Sequence, residues 1–152
     1  MNYYFLKKDL EKLNRIISKL QNKLKEAQKD KHLATTQSSE TWHDNFGFEE
    51  GVRRINQLAS NISELLEIKR KAAVISPAKG RKVGIGSIVI YKDESHRELN
   101  IKIGSYFIAD GKAISYNSPL GKILMGAKSG EKRIGLIGTN KKEFIIIKII
   151  NN

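Results

Sequence analysis

The chain has 152 residues, with 28 Lys plus Arg against 16 Asp plus Glu, a formal net charge of +12 and no cysteine. The missing cysteine excludes disulfide staples, thiol nucleophiles and cysteine-ligated zinc. The 39% apolar and 29% charged content is that of a globular chain rather than a disordered one. The positive balance calls for an anionic partner: nucleic acid, a membrane surface or an acidic protein face. No apolar run nears the ~18 residues needed to span a bilayer, and Phe144 to Ile150, the most apolar stretch, contains Lys148. The N-terminus, Met-Asn-Tyr-Tyr-Phe-Leu-Lys-Lys, places charge where a signal peptide needs its apolar segment. The expectation is a cytoplasmic protein with no membrane partner.

In chain order, Leu6, Leu10, Leu13, Ile17, Leu20, Leu24 and Ala27 recur at alternating intervals of four and three, a heptad seam. A helix over about residues 6 to 34 would be roughly 40 Å long at 1.5 Å per residue. The segment from His32 to Gly47 is polar and aperiodic. Phe48, Val52, Ile55, Ala59, Ile62 and Leu66 form a second seam. Two helices with a turn between them predict an antiparallel coiled-coil hairpin. Thr41 or Asp44 is placed to cap the second helix, and Ser76-Pro77 is expected to end it. Residues 76-84 read as a linker.

The remainder is strand-like. Ile85 to Tyr91, Leu99 to Ile103, Ala113 to Tyr116, Arg133 to Ile137 and Glu143 to Ile150 are β-branched or aromatic runs bounded by turn residues. Ser118-Pro119-Leu120 predicts a short helix, with serine as N-cap and proline in the first turn. Leu120, Ile123 and Leu124 give that helix an apolar face, and Gly126 can end it. The predicted class is α+β: residues 1-75 form the coiled coil, with a tip at about 36-47, and residues 85-152 form a small antiparallel sheet domain with one short helix.

Signatures of catalysis are sparse. The chain has no P-loop, no nucleophile elbow and no H-E-x-x-H. Gly84-Ile85-Gly86 precedes a strand, the wrong order for a phosphate cradle, and reads as a turn. His32, His43 and His96 are scattered, with no pair at metal-ligand spacing. The one concentrated polar feature is the tip, Glu40-Thr41-Trp42-His43-Asp44-Asn45, which holds the single tryptophan. Trp42 on a projecting tip is either a contact anchor or a cover for the hairpin end. Asp44 is either a helix cap or one carboxylate for a hard cation such as Mg²⁺.

Two segments carry a resemblance. Asp44-Asn45 followed by Phe48, and the run from Tyr116 to Gly126 (Tyr-Asn-Ser-Pro-Leu-Gly-Lys-Ile-Leu-Met-Gly), together with the layout of the whole chain, are similar to the GreA/GreB family of bacterial transcription elongation factors. The resemblance implies an FKBP-like fold for the second domain and RNA polymerase as partner. It also implies entry of the coiled coil through the polymerase secondary channel. Tip acids then help hold a catalytic Mg²⁺ while the polymerase cleaves its own backtracked RNA. The chain would be an accessory factor, not an enzyme, monomeric and without a cofactor or metal of its own, sharing Mg²⁺ with the polymerase active site. Asp44 would be the tip acid, with Glu40 as an adjacent second candidate and Thr41, Trp42, His43 and Asn45 as tip contacts. Ser118, Pro119 and Leu120 would lie near the polymerase-docking surface. Lys19, Lys23, Arg53 and Arg54 would face the nascent RNA 3′ end, or stand as solvated coiled-coil flanks.

The tip departs from the family pattern of two acids three residues apart, because Thr41 stands where the first acid belongs. This leaves an alternative open: a non-cleaving secondary-channel regulator, or an inhibitor of Gre factors. A second alternative is a basic, DNA-binding or other nucleic-acid-binding protein. Residues 77–152 carry 14 basic and 6 acidic residues, and residues 1–76 carry 14 and 10. No RNA-recognition signature accompanies that charge. A third, an isomerase or chaperone with a coiled-coil arm, would need an aromatic-lined pocket, for which Tyr91, Tyr106, Phe107 and Phe144 are few.

Overall fold

The computed structural model describes residues 1–37 and 45–151, with the side chains of 34–37, 45 and 46 not among the described atoms. In chain order the elements are β1 (Tyr3–Leu6), α1 (Lys7–Gln37), α2 (Asn45–Arg70), β2 (Ala72–Ile75), β3 (Ile88–Lys92), β4 (Glu98–Gly104), β5 (Ile114–Ser115), α3 (Pro119–Leu124), β6 (Lys132–Ile137) and β7 (Asn140–Ile150). The chain divides into two compact units, Lys12–Lys71 and Met1–Glu11 with Ala72–Asn152. The expected division at residues 75 and 85 differs from this one at both ends of the hairpin.

The helical unit is a two-helix hairpin. On α1, Leu13 and Ile17 are buried, and Leu10, Leu20, Leu24 and Ala27 are half-buried, as the first seam predicts. The second seam needs a correction. Ile55 is half-buried and Ile62 buried, but Ala59 and Leu66 face solvent while Leu58 and Leu65 turn inward. Both phases keep the heptad through Ile55 and Ile62. The one that buries Leu58 instead of Ala59 removes more apolar surface from water, and Leu65 follows seven residues later.

Helix α2 ends at Arg70, not at Ser76-Pro77. Glu67 accepts two hydrogen bonds from the Arg70 guanidinium, both 2.8 Å, and Lys71 Nζ lies 2.9 Å from its carboxylate. Residues 72–75 then pair in parallel with residues 3–6, Tyr3 opposite Ala72 through Leu6 opposite Ile75. This ladder defeats the helical reading because Val74 and Ile75 are β-branched, and a partner strand outweighs local periodicity.

The second unit also contains a five-stranded sheet in the order β5-β4-β3-β7-β6. Its four longer strands are antiparallel, as expected, while the two-residue β5 joins β4 in parallel. Gly84 to Ser87 is a turn, closed by the Ser87 N–H donating to the Gly84 carbonyl at 3.1 Å, with Gly86 at φ 99°. Val89, Tyr91, Ile103, Leu124, Phe144 and Ile146 are core residues, and the Tyr91 and Phe144 rings meet edge to face at 5.6 Å. Helix α3 covers this core through two close approaches. A Cβ on Gly135 would strike the Ile123 side chain, and one on Gly121 would overlap the Ser115 carbonyl oxygen.

Two glycines therefore have opposite expected behaviour in chemical unfolding. Gly121→Ala must push α3 off a backbone oxygen and should lose about 1–3 kcal/mol, the range for overpacking. Gly51→Ala sits in α2 with nothing within 4 Å of the new Cβ and should gain up to ~1 kcal/mol of helix propensity. The Glu67 carboxyl is lowered to about 2 by hydrogen bonds from Arg70, then Lys71. Its charged form is favoured in the fold, so the interaction is complete above the ordinary glutamate range and is lost as pH falls through about 2. An NMR titration of Glu67 should return toward the ordinary range in Arg70→Ala.

Candidate functional site: hairpin tip and α3 segment

Glu40, Thr41, Trp42, His43 and Asp44 lie outside the described residues, and Asn45 is described in its backbone alone, as the first residue of α2. The structure does describe the two helical stems beneath them. Lys31 on α1 places its ammonium 5.1 Å from the centroid of the Phe48 ring on α2, a cation–π contact across the hairpin. Beside it is a cavity of about 230 Å³ lined by Ala27, Asp30 and Lys31 from one helix and Gly47, Phe48, Gly51 and Arg54 from the other. The space exists because neither glycine has a side chain to fill it. Phe48, read as a seam residue, is 42% exposed, so the tip-proximal end of α2 packs loosely where the base packs tightly.

Lys19, Lys23, Arg53 and Arg54 are all exposed. Arg54 shares the cavity wall with Asp30 and Lys31. Lys19 and Lys23 sit a turn apart on α1, further from the tip, and are not brought to that cluster. Among the described residues, no group of three acidic or histidine side chains could hold a metal. No helix among them is long and apolar enough to cross a membrane.

In the α3 segment, Ser118 behaves as the cap read from the sequence. Its Oγ accepts from the Gly121 N–H at 3.1 Å and donates to the Ser115 carbonyl at 2.7 Å. Leu120 is half-buried against the core, and Pro119 is exposed. Of the three residues, Pro119 alone is exposed. Just before them, the Tyr116 hydroxyl accepts from the Tyr4 N–H at 3.2 Å. Its ring lies 6.1 Å from Tyr4 and 6.5 Å from Tyr106, and Tyr106 in turn stacks on Tyr3 at 3.8 Å. Ser105, fully buried, accepts from the Leu6 N–H at 2.9 Å and donates to Asp9 Oδ2 at 2.6 Å. Sequence reasoning missed this cluster, although Tyr106 and Tyr116 at or near the ends of apolar runs and a Tyr-Tyr-Phe N-terminus were visible signals.

The family model described as "Transcription elongation factor, GreA/GreB, C-term" matches residues 78–151. Transcription elongation factor GreA of Thermosipho melanesiensis is 31% identical over 133 residues, covering 85% of this chain and 80% of the relative. The chain belongs to the GreA/GreB family. GreA of Novosphingobium aromaticivorans is 30% identical over 110 residues, 70% of each chain. Another relative, named transcription inhibitor protein Gfh1, from Thermus aquaticus, is 26% identical over 144 residues, 91% of this chain and 90% of that one. The GreA/GreB match spans the sheet and α3, so the Ser118 cap and Tyr116 lie within the family region, while Tyr4 lies outside it.

If Ser118 holds α3 as the geometry indicates, Ser118→Ala should cost about 1 kcal/mol, the usual value of a lost cap. Ser118→Asp should recover only part of it, because a carboxylate can accept from the Gly121 N–H but cannot donate to the Ser115 carbonyl. Urea unfolding of the two variants against the parent chain measures both.

Proposed function

We propose that this chain is a secondary-channel factor of RNA polymerase: its sheet unit docks on the polymerase and its hairpin delivers the tip to the active site. The observation that carries the reading is membership of the GreA/GreB family combined with the Asp44-Asn45 pair in the sequence. Asp44 is the candidate acid there, with Glu40 beside it in sequence. Mg²⁺ in such a site supplies Lewis-acid stabilisation of the attacking and leaving oxygens of a phosphodiester. One carboxylate is a sufficient share for a factor to contribute, because Mg²⁺ commonly takes one or two protein carboxylates and fills its remaining positions from elsewhere. The polymerase then performs the cleavage, and this chain is not itself an enzyme.

The Ser118, Pro119 and Leu120 segment is the proposed docking element, with exposed Pro119 as its contact and Ser118 holding α3 in place. Lys19, Lys23, Arg53 and Arg54 are exposed along the hairpin stem, which supports a role near the RNA 3′ end. Asp30 beside Arg54 offsets part of that charge. Thr41, Trp42, His43 and Asn45 complete the tip, with Trp42 as its apolar anchor. The protein acts as a monomer in the cytoplasm.

A second reading rests on one specific observation. Thr41 replaces the first of two acids, and the chain aligns along nine-tenths of its length with a relative named as a transcription inhibitor. A tip with one acid would occupy the channel and cleave poorly, competing with a fully acidic Gre factor.

RNA cleavage in backtracked complexes of the cognate polymerase separates the two. Under the first reading the chain stimulates cleavage, Asp44→Ala abolishes the stimulation, and Thr41→Asp raises it by up to about 10², the scale of one preorganised charge at a transition state. Under the second the parent chain is silent and suppresses cleavage by an added two-acid factor. Cleavage by Asp44→Ala equal to the parent removes Asp44 from the site altogether.

A further inference from the structure

The sheet has two faces, and one of them is uncovered in its own unit. Helix α3 packs on the face that carries Val89, Tyr91, Phe144 and Ile146. The opposite face can be read row by row from the register. Lys132, Ile145, Lys92 and Glu98 lie side by side across β6, β7, β3 and β4. Lys148, Ile90 and Asn100 form the next row, and Ile150, Ile88 and Lys102 the one after. On the β6 side, Ile134 stands opposite Glu143 and Leu136 opposite Lys141. The register shifts between Ile90 and Tyr91, where Ile147 is the extra residue of β7.

The exposed face of an antiparallel sheet is ordinarily polar. This one is mixed, with seven aliphatic side chains set among its lysines and glutamates. Leu136 is 65% exposed and Ile134 51%, with Ile88, Ile145, Ile147 and Ile150 between 36% and 39%. Large aliphatic side chains exposed together on one face, rimmed by polar ones, mark interaction sites. The charges among them are five lysines and two glutamates, and one of the glutamates, Glu143, is already engaged by Lys132 at 2.6 Å.

We propose that this outer face is a docking surface for an acidic amphipathic helix of a partner protein, with Leu136, Ile134 and Ile145 as the apolar floor and the lysines as the charged rim. A broad open sheet buries its apolar face best against a helix, whose stripe of side chains matches it. The rim selects acid. Two copies of the face would bring lysine against lysine, which disfavours self-association. Nucleic acid is disfavoured because the floor has no aromatic or arginine platform on which bases stack. The surface lies on the other side of the sheet from α3 and Pro119, so the proposal stands whether or not the polymerase reading holds.

The test uses the ¹⁵N-labelled full chain and a synthetic helical peptide with a leucine stripe flanked by glutamates. Amide shifts should move at Ile134, Leu136 and Ile145 and leave α3 unchanged. Leu136→Glu should raise Kd by about tenfold, the effect of one lost interface anchor. Lys141→Glu, a charge reversal at an exposed position, provides the same test should Leu136→Glu alter the fold, and it should weaken binding and flatten its salt dependence. Equal binding of a peptide with lysines in place of its glutamates overturns the proposal, as does an absence of shifts on this face. Two further results overturn it by assigning the face elsewhere: tighter binding to phosphatidylglycerol vesicles than to the peptide, or a concentration-dependent dimer that Leu136→Glu abolishes.

Discussion

The parallel pairing of β1 with β2 is the constraint on which the rest of the chain depends. Parallel strands cannot be joined by a tight turn and need a long crossover. Here the crossover is the whole helical hairpin, residues 7–71, which leaves β1 as α1 and returns from α2 into β2. Four residue pairs thereby close a loop that contains every tip residue. The ladder is reinforced by the Tyr4, Tyr106 and Tyr116 rings and by Ser105, whose hydroxyl bridges the Leu6 N–H and the Asp9 carboxylate. Asp9 lies in the first turn of α1, where the helix dipole already favours a negative charge. A fully buried hydroxyl with both its donor and its acceptor used is a satisfied polar group, and breaking one partner would leave the other stranded.

Beyond that joint the two units follow different packing rules. The hairpin has a narrow seam, closed at Leu13, Ile17 and Ile62 and open near Gly47 and Gly51. The sheet unit has a denser core, in which glycines at 121 and 135 are required because α3 approaches closer than any Cβ allows. Glycine thus serves opposite ends in the two units: it admits a close contact in one and leaves space in the other. The loose end of the hairpin is the end adjoining the tip, where Lys31 and Phe48 contribute a cation–π contact in place of interlocked aliphatic side chains.

Much of this was legible in the sequence because it is local. The first heptad seam, the Ser118 cap with Pro119 in the first turn, a turn at Gly84-Ile85-Gly86 and the strands of the sheet all follow from spacing and from residue chemistry within a few positions, although β3 begins at Ile88 and not at Ile85. What was not legible depended on distant partners. Residues 72–75 continue a helical pattern and become a strand only because residues 3–6 lie beside them. Leu58 and Ala59 satisfy equally regular heptads, and the choice between them rests on what the facing helix fills. The tyrosine cluster joins residues more than a hundred positions apart. The family resemblance was carried by the 116–126 run and the tip, and the first of these lies in the segment that the GreA/GreB model matches. The Ser118 side chain is fully engaged within its own turn, a bland role that could be read from Ser-Pro alone.

The tyrosine cluster has an optical consequence. Four of the five tyrosines, at positions 3, 4, 106 and 116, sit at the strand joint, and the fifth, Tyr91, is in the core. The single tryptophan, Trp42, is in the tip segment. The chain therefore carries two chromophore populations in separate stretches of its sequence. Red-edge excitation reports on the tip segment alone, while tyrosine near-ultraviolet dichroism reports on the joint and the sheet. Melting of the base and events at position 42 can be followed in one cuvette, without a label.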